Sequence, residues 1–175
     1  MSTKQRVAAF DFDHTLRGRG ACWQASASHL PDLFQRLLAD DFKLVVFSNQ
    51  AGVGRHRDPM SLQYNIDMTI DRFDAFQKFV NAPLEMYLAI ARGDVPDKYR
   101  KPHTGMWTLM ENMHMEREHS KKERDSSYIV KEIDKEGSFY VGNSAGRASD
   151  RTAFDIQFAE AIGVDFKTDE WLHFR

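Results

Sequence analysis

One cysteine, Cys22, stands alone in 175 residues, so no disulfide can form within the chain. No neighbouring histidine marks it as a nucleophile, and it reads as structural. Prolines number 5 and glycines 10, and neither is gathered into a low-complexity linker. No segment repeats. No apolar run is long enough to span a bilayer, and no charged-then-apolar leader opens the chain. Charge of one sign is also lacking: Lys plus Arg number 24, Asp plus Glu 26, for a formal net charge of −2. Global charge therefore does not announce a nucleic-acid binder, although a local basic patch is sufficient for one. These absences lead to the expectation of a soluble intracellular protein, nuclear or cytoplasmic, monomeric and without a membrane partner.

The rest is ordinary globular composition, 42% hydrophobic and 29% charged. The length suits one domain over residues 1–175, with a core that needs no staple. The chain alternates short apolar runs with amphipathic ones, which predicts an α/β fold. Strands are expected over residues 6–12 (RVAAFDF), 42–47, 83–91, 138–141 and 164–167. Helices are expected over 30–39, 61–80, 104–119 and 152–162, the third capped by Thr104 and the last ended by Gly163. Ile66, Ile70, Phe73 and Phe76 mark the inner face of the second helix. Residues 120–135 are strongly charged and read as a solvated face, and 169–174 as a closing helical turn. The pattern implies a Rossmann-like parallel sheet with helices on both faces and a small cap or none.

Polar clusters follow the first, second and fourth strands, where a parallel sheet gathers loops at its carboxyl edge. Asp11-Phe12-Asp13-His14-Thr15 puts two carboxylates one residue apart at a strand end. The bland reading is an exposed acidic turn. The chemical one is a carboxylate that attacks phosphorus, beside a second that protonates a leaving oxygen and later deprotonates water. Ser48-Asn49-Gln50 offers a hydroxyl and loop N–H groups to phosphoryl oxygens, or is a plain polar turn. Lys101, in KYRKP, can neutralise phosphoryl charge, or is surface. Gly142-Asn143 ends the fourth strand, with Asp150 and Asp155 following. Acidic oxygens there can hold Mg²⁺. Asp150 is equally suited to an N-cap.

Taken together, Asp11-x-Asp13-x-Thr15, Ser48, Lys101 and the 142–155 segment resemble the four motifs of the haloacid dehalogenase superfamily. Within it the chain is similar to the phosphatase domain of polynucleotide kinase 3′-phosphatase. AAFDFDHTL, KLVVFSNQAGVGR, YRKPHTGMW, YVGNSAGR and DRTAFD carry the likeness, which runs from about Val7 to Phe174. The resemblance implies removal of a 3′-phosphate from DNA ends through an aspartyl-phosphate, with Asp11 as nucleophile and Asp13 as acid, then base. Ser48 and Lys101 would hold the phosphate, with Thr15, Asn49, Gln50, Arg55 and Arg147 on the substrate. Mg²⁺ would be held by Asp11, Asp13, Asn143 and Asp155. No GxxxxGK[ST] loop occurs, so no kinase half is present in these residues.

Two positions depart from the family pattern. His14 stands where glycine is usual. Asn143 stands where the metal-binding aspartate is usual, which leaves an engineered substitution, a variant rescued by Asp150 or Asp155, and an inactive relative as three accounts. Arg17, Arg19, Arg55, Arg57, Arg92, Lys98, Arg100, Arg147 and Arg151 cluster in the motif-bearing loops, a basic rim suited to a single-stranded or nicked DNA end. Trp23 or Trp107 could stack a base, with Trp107 placed by its spacing in the core. Two other functions fit less well. One is a small-molecule phosphatase of the histidinol-phosphate or heptose-bisphosphate type, whose members often carry a Cys/His zinc loop that this chain lacks. The other is a DNA-end-binding module without turnover.

Overall fold

The structure is a computed structural model and describes residues 4–18 and 27–173. Expectations for Arg19, Cys22, Trp23 and Phe174 lie outside the described residues. The elements run β1 (Lys4–Phe10), α1 (Leu30–Ala39), β2 (Phe42–Asn49), a 3-10 turn (Val53–Arg55), α2 (Pro59–Val80), β3 (Glu85–Ala89), α3 (Gly105–Arg124), β4 (Glu132–Gly142), α4 (Phe154–Ile162), β5 (Asp165–Thr168) and a closing 3-10 turn (Asp169–His173). All strand pairs are parallel, in the order β3-β2-β1-β4-β5. The chain thus builds outward from β1 on one side and then crosses to the other. The reversal lies between β1 and β4, the position where open α/β sheets form a crevice.

Strand alternation explains why the helices divide between two faces. In β1, Ala8 and Phe10 pack with Leu33, Phe34 and Leu37 of α1 and Phe73 and Phe76 of α2. Val7 and Ala9 face the other way, with Trp107 and Met110 of α3 and Phe158 and Ile162 of α4. In β2, Val46 joins the first cluster and Phe47 the second. A side chain so buried contributes about 1.5–3 kcal/mol by removal from water. Trp107 is core, 2% exposed, and cannot stack on a base.

Several boundaries differ from expectation. β1 ends at Phe10, so Asp11 to Thr15 are already loop. α2 begins at Pro59 because Asp58 caps it, accepting the Ser61 N–H at 2.8 Å. Its inner face is Thr69, Phe73, Phe76 and Val80, while Ile70 is exposed. Thr69 is tolerated inside because its hydroxyl donates to the Asn65 carbonyl. α3 runs on to Arg124, and Thr104 stands at its N-cap without a side-chain bond. The charged stretch is anchored by Glu118. This buried carboxylate accepts from Lys121 Nζ, Tyr128 OH and Lys131 N and pins the following loop to α3.

Candidate active site

The loops at the carboxyl edge form a polar cavity of about 690 Å³ over the β1–β4 crevice. Asp11, Asp13, Ser48, Asn49, Lys101, Asn143 and Asp155 all line it. Asp11 is held there by its own N–H, which donates to Val141 O at 2.8 Å and continues the β1–β4 ladder by one residue. His14 follows at φ 68°, left-handed backbone in which glycine is unstrained, so this turn has a physical reason for the glycine usual at that position.

Lys101 is the centre of the charge arrangement. Its side chain is 2% exposed, and Nζ donates at 2.7 Å to Asp11 Oδ1, Asp155 Oδ1 and the Tyr140 hydroxyl. Three acceptors for three N–H bonds leave the ammonium satisfied. Burial lifts the Asp11 carboxyl from 3.8 to about 6, against the pull of Lys101 and with a push from Asp155. Burial opposes the Lys101 charge, but Asp11 and Asp155 outweigh it and raise its pKa. Tyr140 is pushed well above 10 by burial and the two carboxylates, so it remains an O–H that donates to Asp155 at 3.0 Å. Asn49 fixes the lysine's backbone from both sides, donating to Lys101 O and accepting from Lys101 N.

The remaining sequence candidates divide. Thr15 lies beneath the cavity, its hydroxyl 3.1 Å from Asp11 Oδ2 and 3.3 Å from Asn143 Oδ1. Asp155, expected to ligate a cation, bonds to the protein through both oxygens: Oδ1 accepts from Lys101 and Tyr140, Oδ2 from Ser144 N. It reaches this position because Gly142 has no side chain; a Cβ there would lie 2.6 Å from Asp155. Arg147, expected on substrate, is held by Asp150, Asp169 and Glu170 and donates to Asn143 O. Asp150 is therefore a latch on the 145–147 loop rather than a helix cap, since α4 begins at Phe154. Arg55 lies away from the cavity, beside Arg92 and Asp94. The amide of Gln50 is turned to protein partners. Among the described residues, the lysine and arginines that line the cavity are Lys101, Arg100 and Arg151. Tyr140 and Arg72 were not foreseen. A buried lysine implies an unseen partner, which could have pointed to Tyr140; Arg72 carries no such signal.

A family model, polynucleotide kinase 3 phosphatase, matches residues 6–173. The chain belongs to this family. It is 32% identical to a polynucleotide 3′-phosphatase of Arabidopsis thaliana over 182 residues, 97% of this chain and 24% of that protein. To a bifunctional polynucleotide phosphatase/kinase of Schizosaccharomyces pombe it is 32% identical over 176 residues, 95% of this chain and 37% of that one. A 20.8 kDa protein of Autographa californica nuclear polyhedrosis virus is 31% identical, with 95% of this chain covering 85% of it. The chain thus spans about a quarter and over a third of the first two relatives. Among solved structures, the fold matches a D,D-heptose 1.7-bisphosphate phosphatase from B. bronchiseptica, crystallised with magnesium and phosphate, at TM-score 0.56 and 17% identity, covering 93% of this chain and 79% of that one. That likeness concerns the fold alone.

Among the described residues no three His, Cys, Asp or Glu side chains group to hold a metal. A mixed set of oxygens does converge. Asp11 Oδ2 and Asn143 Oδ1 both point at the Thr15 hydroxyl. That hydroxyl has one proton, so one of the two oxygens goes without it. A carboxylate and an amide oxygen at one spot fit a hard cation such as Mg²⁺, with less charge than two carboxylates would supply. No helix among the described residues is long and apolar enough to cross a membrane.

Proposed function

We propose that this chain, as one domain, removes the 3′-phosphate from DNA ends through a phosphorylated Asp11. One observation carries the reading: two carboxylates, Asp11 and Asp13, share a cavity with Ser48 and the buried ammonium of Lys101. The relatives' names supply the substrate class.

Lys101 and Thr15 orient the Asp11 carboxylate by holding one oxygen each. A carboxylate oxygen attacks phosphorus, the bond from phosphorus to the 3′ oxygen breaks, and that oxygen takes a proton from Asp13. Water then attacks the phosphoryl-Asp11, giving its proton to Asp13 and releasing phosphate. Ser48 donates to a phosphoryl oxygen, and Lys101 offsets charge that develops there. Asp11, the Asp13 main-chain carbonyl and Asn143 would hold Mg²⁺, which when bound screens the phosphate from Asp11 and draws its pKa down. Arg100 and Arg151 flank the opening and suit the backbone of the strand whose end enters. DNA end repair is the setting this activity fits.

The test is phosphate release from 3′-phosphorylated DNA, 5′-phosphorylated DNA and small phosphate esters, each with and without Mg²⁺. Release from the first, with Mg²⁺, is expected. Release from small sugar phosphates alone would replace the substrate. Tight oligonucleotide binding without release would replace the enzyme with a binding module.

A further inference from the structure

Gln50 is the third residue of the Ser48-Asn49-Gln50 turn, 7% exposed. Every polar group it carries is used. Its backbone N–H donates to Ala89 O at 2.8 Å, and its carbonyl accepts from Val53 N at 3.1 Å. Its side-chain Nε2 donates at 2.7 Å to Asp13 Oδ2 and at 2.7 Å to Ser48 Oγ. Its Oε1 accepts at 2.7 Å from Arg72 of α2. A guanidinium can only donate, so Arg72 decides which end of the amide is which. With Oε1 toward Arg72, both N–H bonds must face Asp13 and Ser48.

That orientation has two consequences for the reaction. Ser48 Oγ accepts from Gln50, so the serine's own proton is free to turn into the cavity and meet a phosphoryl oxygen. Asp13 Oδ2 already receives an N–H, so a proton carried by this carboxyl resides on Oδ1, the oxygen left for the leaving group. Arg17 lies 3.9 Å from Oδ1, beyond hydrogen-bond distance.

We propose that Gln50, oriented by Arg72, is a positioning residue: it fixes which Asp13 oxygen meets the leaving group and aims the Ser48 hydroxyl at the phosphate. The proposal rests on the phosphatase reading above. It gives α2 a part in the chemistry that its role as a sheet-covering helix does not.

The experiment compares wild type, Gln50→Leu, Arg72→Leu and Arg72→Lys on two substrates with Mg²⁺. A 3′-phosphorylated oligonucleotide has an alkoxide leaving group, which needs a proton. p-Nitrophenyl phosphate leaves as a stable phenolate and needs none. Gln50→Leu should lower kcat/KM, which covers the steps through loss of the leaving group and not the hydrolysis of phosphoryl-Asp11 that both substrates share, about 10²-fold on the oligonucleotide and far less on the aryl ester. Arg72→Leu should show the same bias, and Arg72→Lys, which restores a donor, should recover most of the loss. Equal losses of kcat/KM on both substrates, or no loss on either, would overturn the inference while leaving the phosphatase reading standing. A wild type inert on both would refute that reading instead. A crystal structure of Gln50→Leu then still decides the placement: Asp13 turned away from Ser48 supports it, and an unmoved Asp13 overturns it.

Discussion

Replacing Lys101 by methionine keeps the length of the side chain and removes its charge. Asp11 and Asp155 would then face one another with the Tyr140 hydroxyl between them and no cation. Breaking a buried pair by removing one partner costs about 3–5 kcal/mol. Here the loss depends on pH. Asp11 already has a folded pKa of about 6 against 3.8 for an unperturbed aspartate. An acid raised in this way weighs against folding at high pH, and the handicap fades as pH falls toward 3.8. In wild type, only the last half unit between pH 7.5 and 5.5 lies below 6, so the recovery over that range is small, under about 1 kcal/mol. Without Lys101 the carboxyl rises further. The recovery over the same range then grows toward about 3 kcal/mol, the most that one carboxyl can contribute over two pH units. Lys101→Met should therefore lose about 4 kcal/mol at pH 7.5 and about 2 kcal/mol at pH 5.5. Urea unfolding of both proteins at the two pH values, with chelator present and m-values compared, measures this. Phosphate release should fall by about 10²–10³. A destabilisation that is equal at both pH values, or below about 1 kcal/mol, would refute the account of Lys101 as the counter-charge of Asp11.

Three further outcomes are expected. Asn143→Asp should raise turnover at limiting Mg²⁺ by adding a charged ligand beside Asp11; an unchanged metal titration would count against Asn143 as a ligand. Gly142→Ala should destabilise by about 1–3 kcal/mol and cut activity, because the new methyl displaces Asp155 from Lys101; an unaltered melting temperature would show that the contact relaxes freely. Burial acts to raise the Glu118 carboxyl, but the bonds from Lys121, Lys131 N and Tyr128 win and hold it at about 2. Its contribution is therefore present above 4.5 and lost as pH falls toward 2, so Glu118→Gln should cost about 1–3 kcal/mol at neutral pH and flatten acid unfolding over that window.

The order of strands and helices was readable because hydrophobic period is local. RVAAF and KLVVF are too short and too uniformly apolar for anything but buried strands, and the loops after them had to meet at one sheet edge. The residues proposed for phosphoryl chemistry could be named for the same reason: Asp11, Asp13, Ser48 and Lys101 all follow strands or stand in a loop that returns to the sheet. What each of them touches was not local. Lys101 and Asp155 are 54 positions apart and Gln50 and Arg72 are 22, so their hydrogen bonds exist only once β1, β2 and β4 are in register. Tertiary structure alone turned Asp155 toward the lysine, bound Arg147 to three carboxylates, and made Gln50 a bridge between Asp13 and Ser48. A side chain's type limits the bonds it can form; burial beside particular neighbours selects which of those bonds it does form, and sequence distance says nothing about that choice.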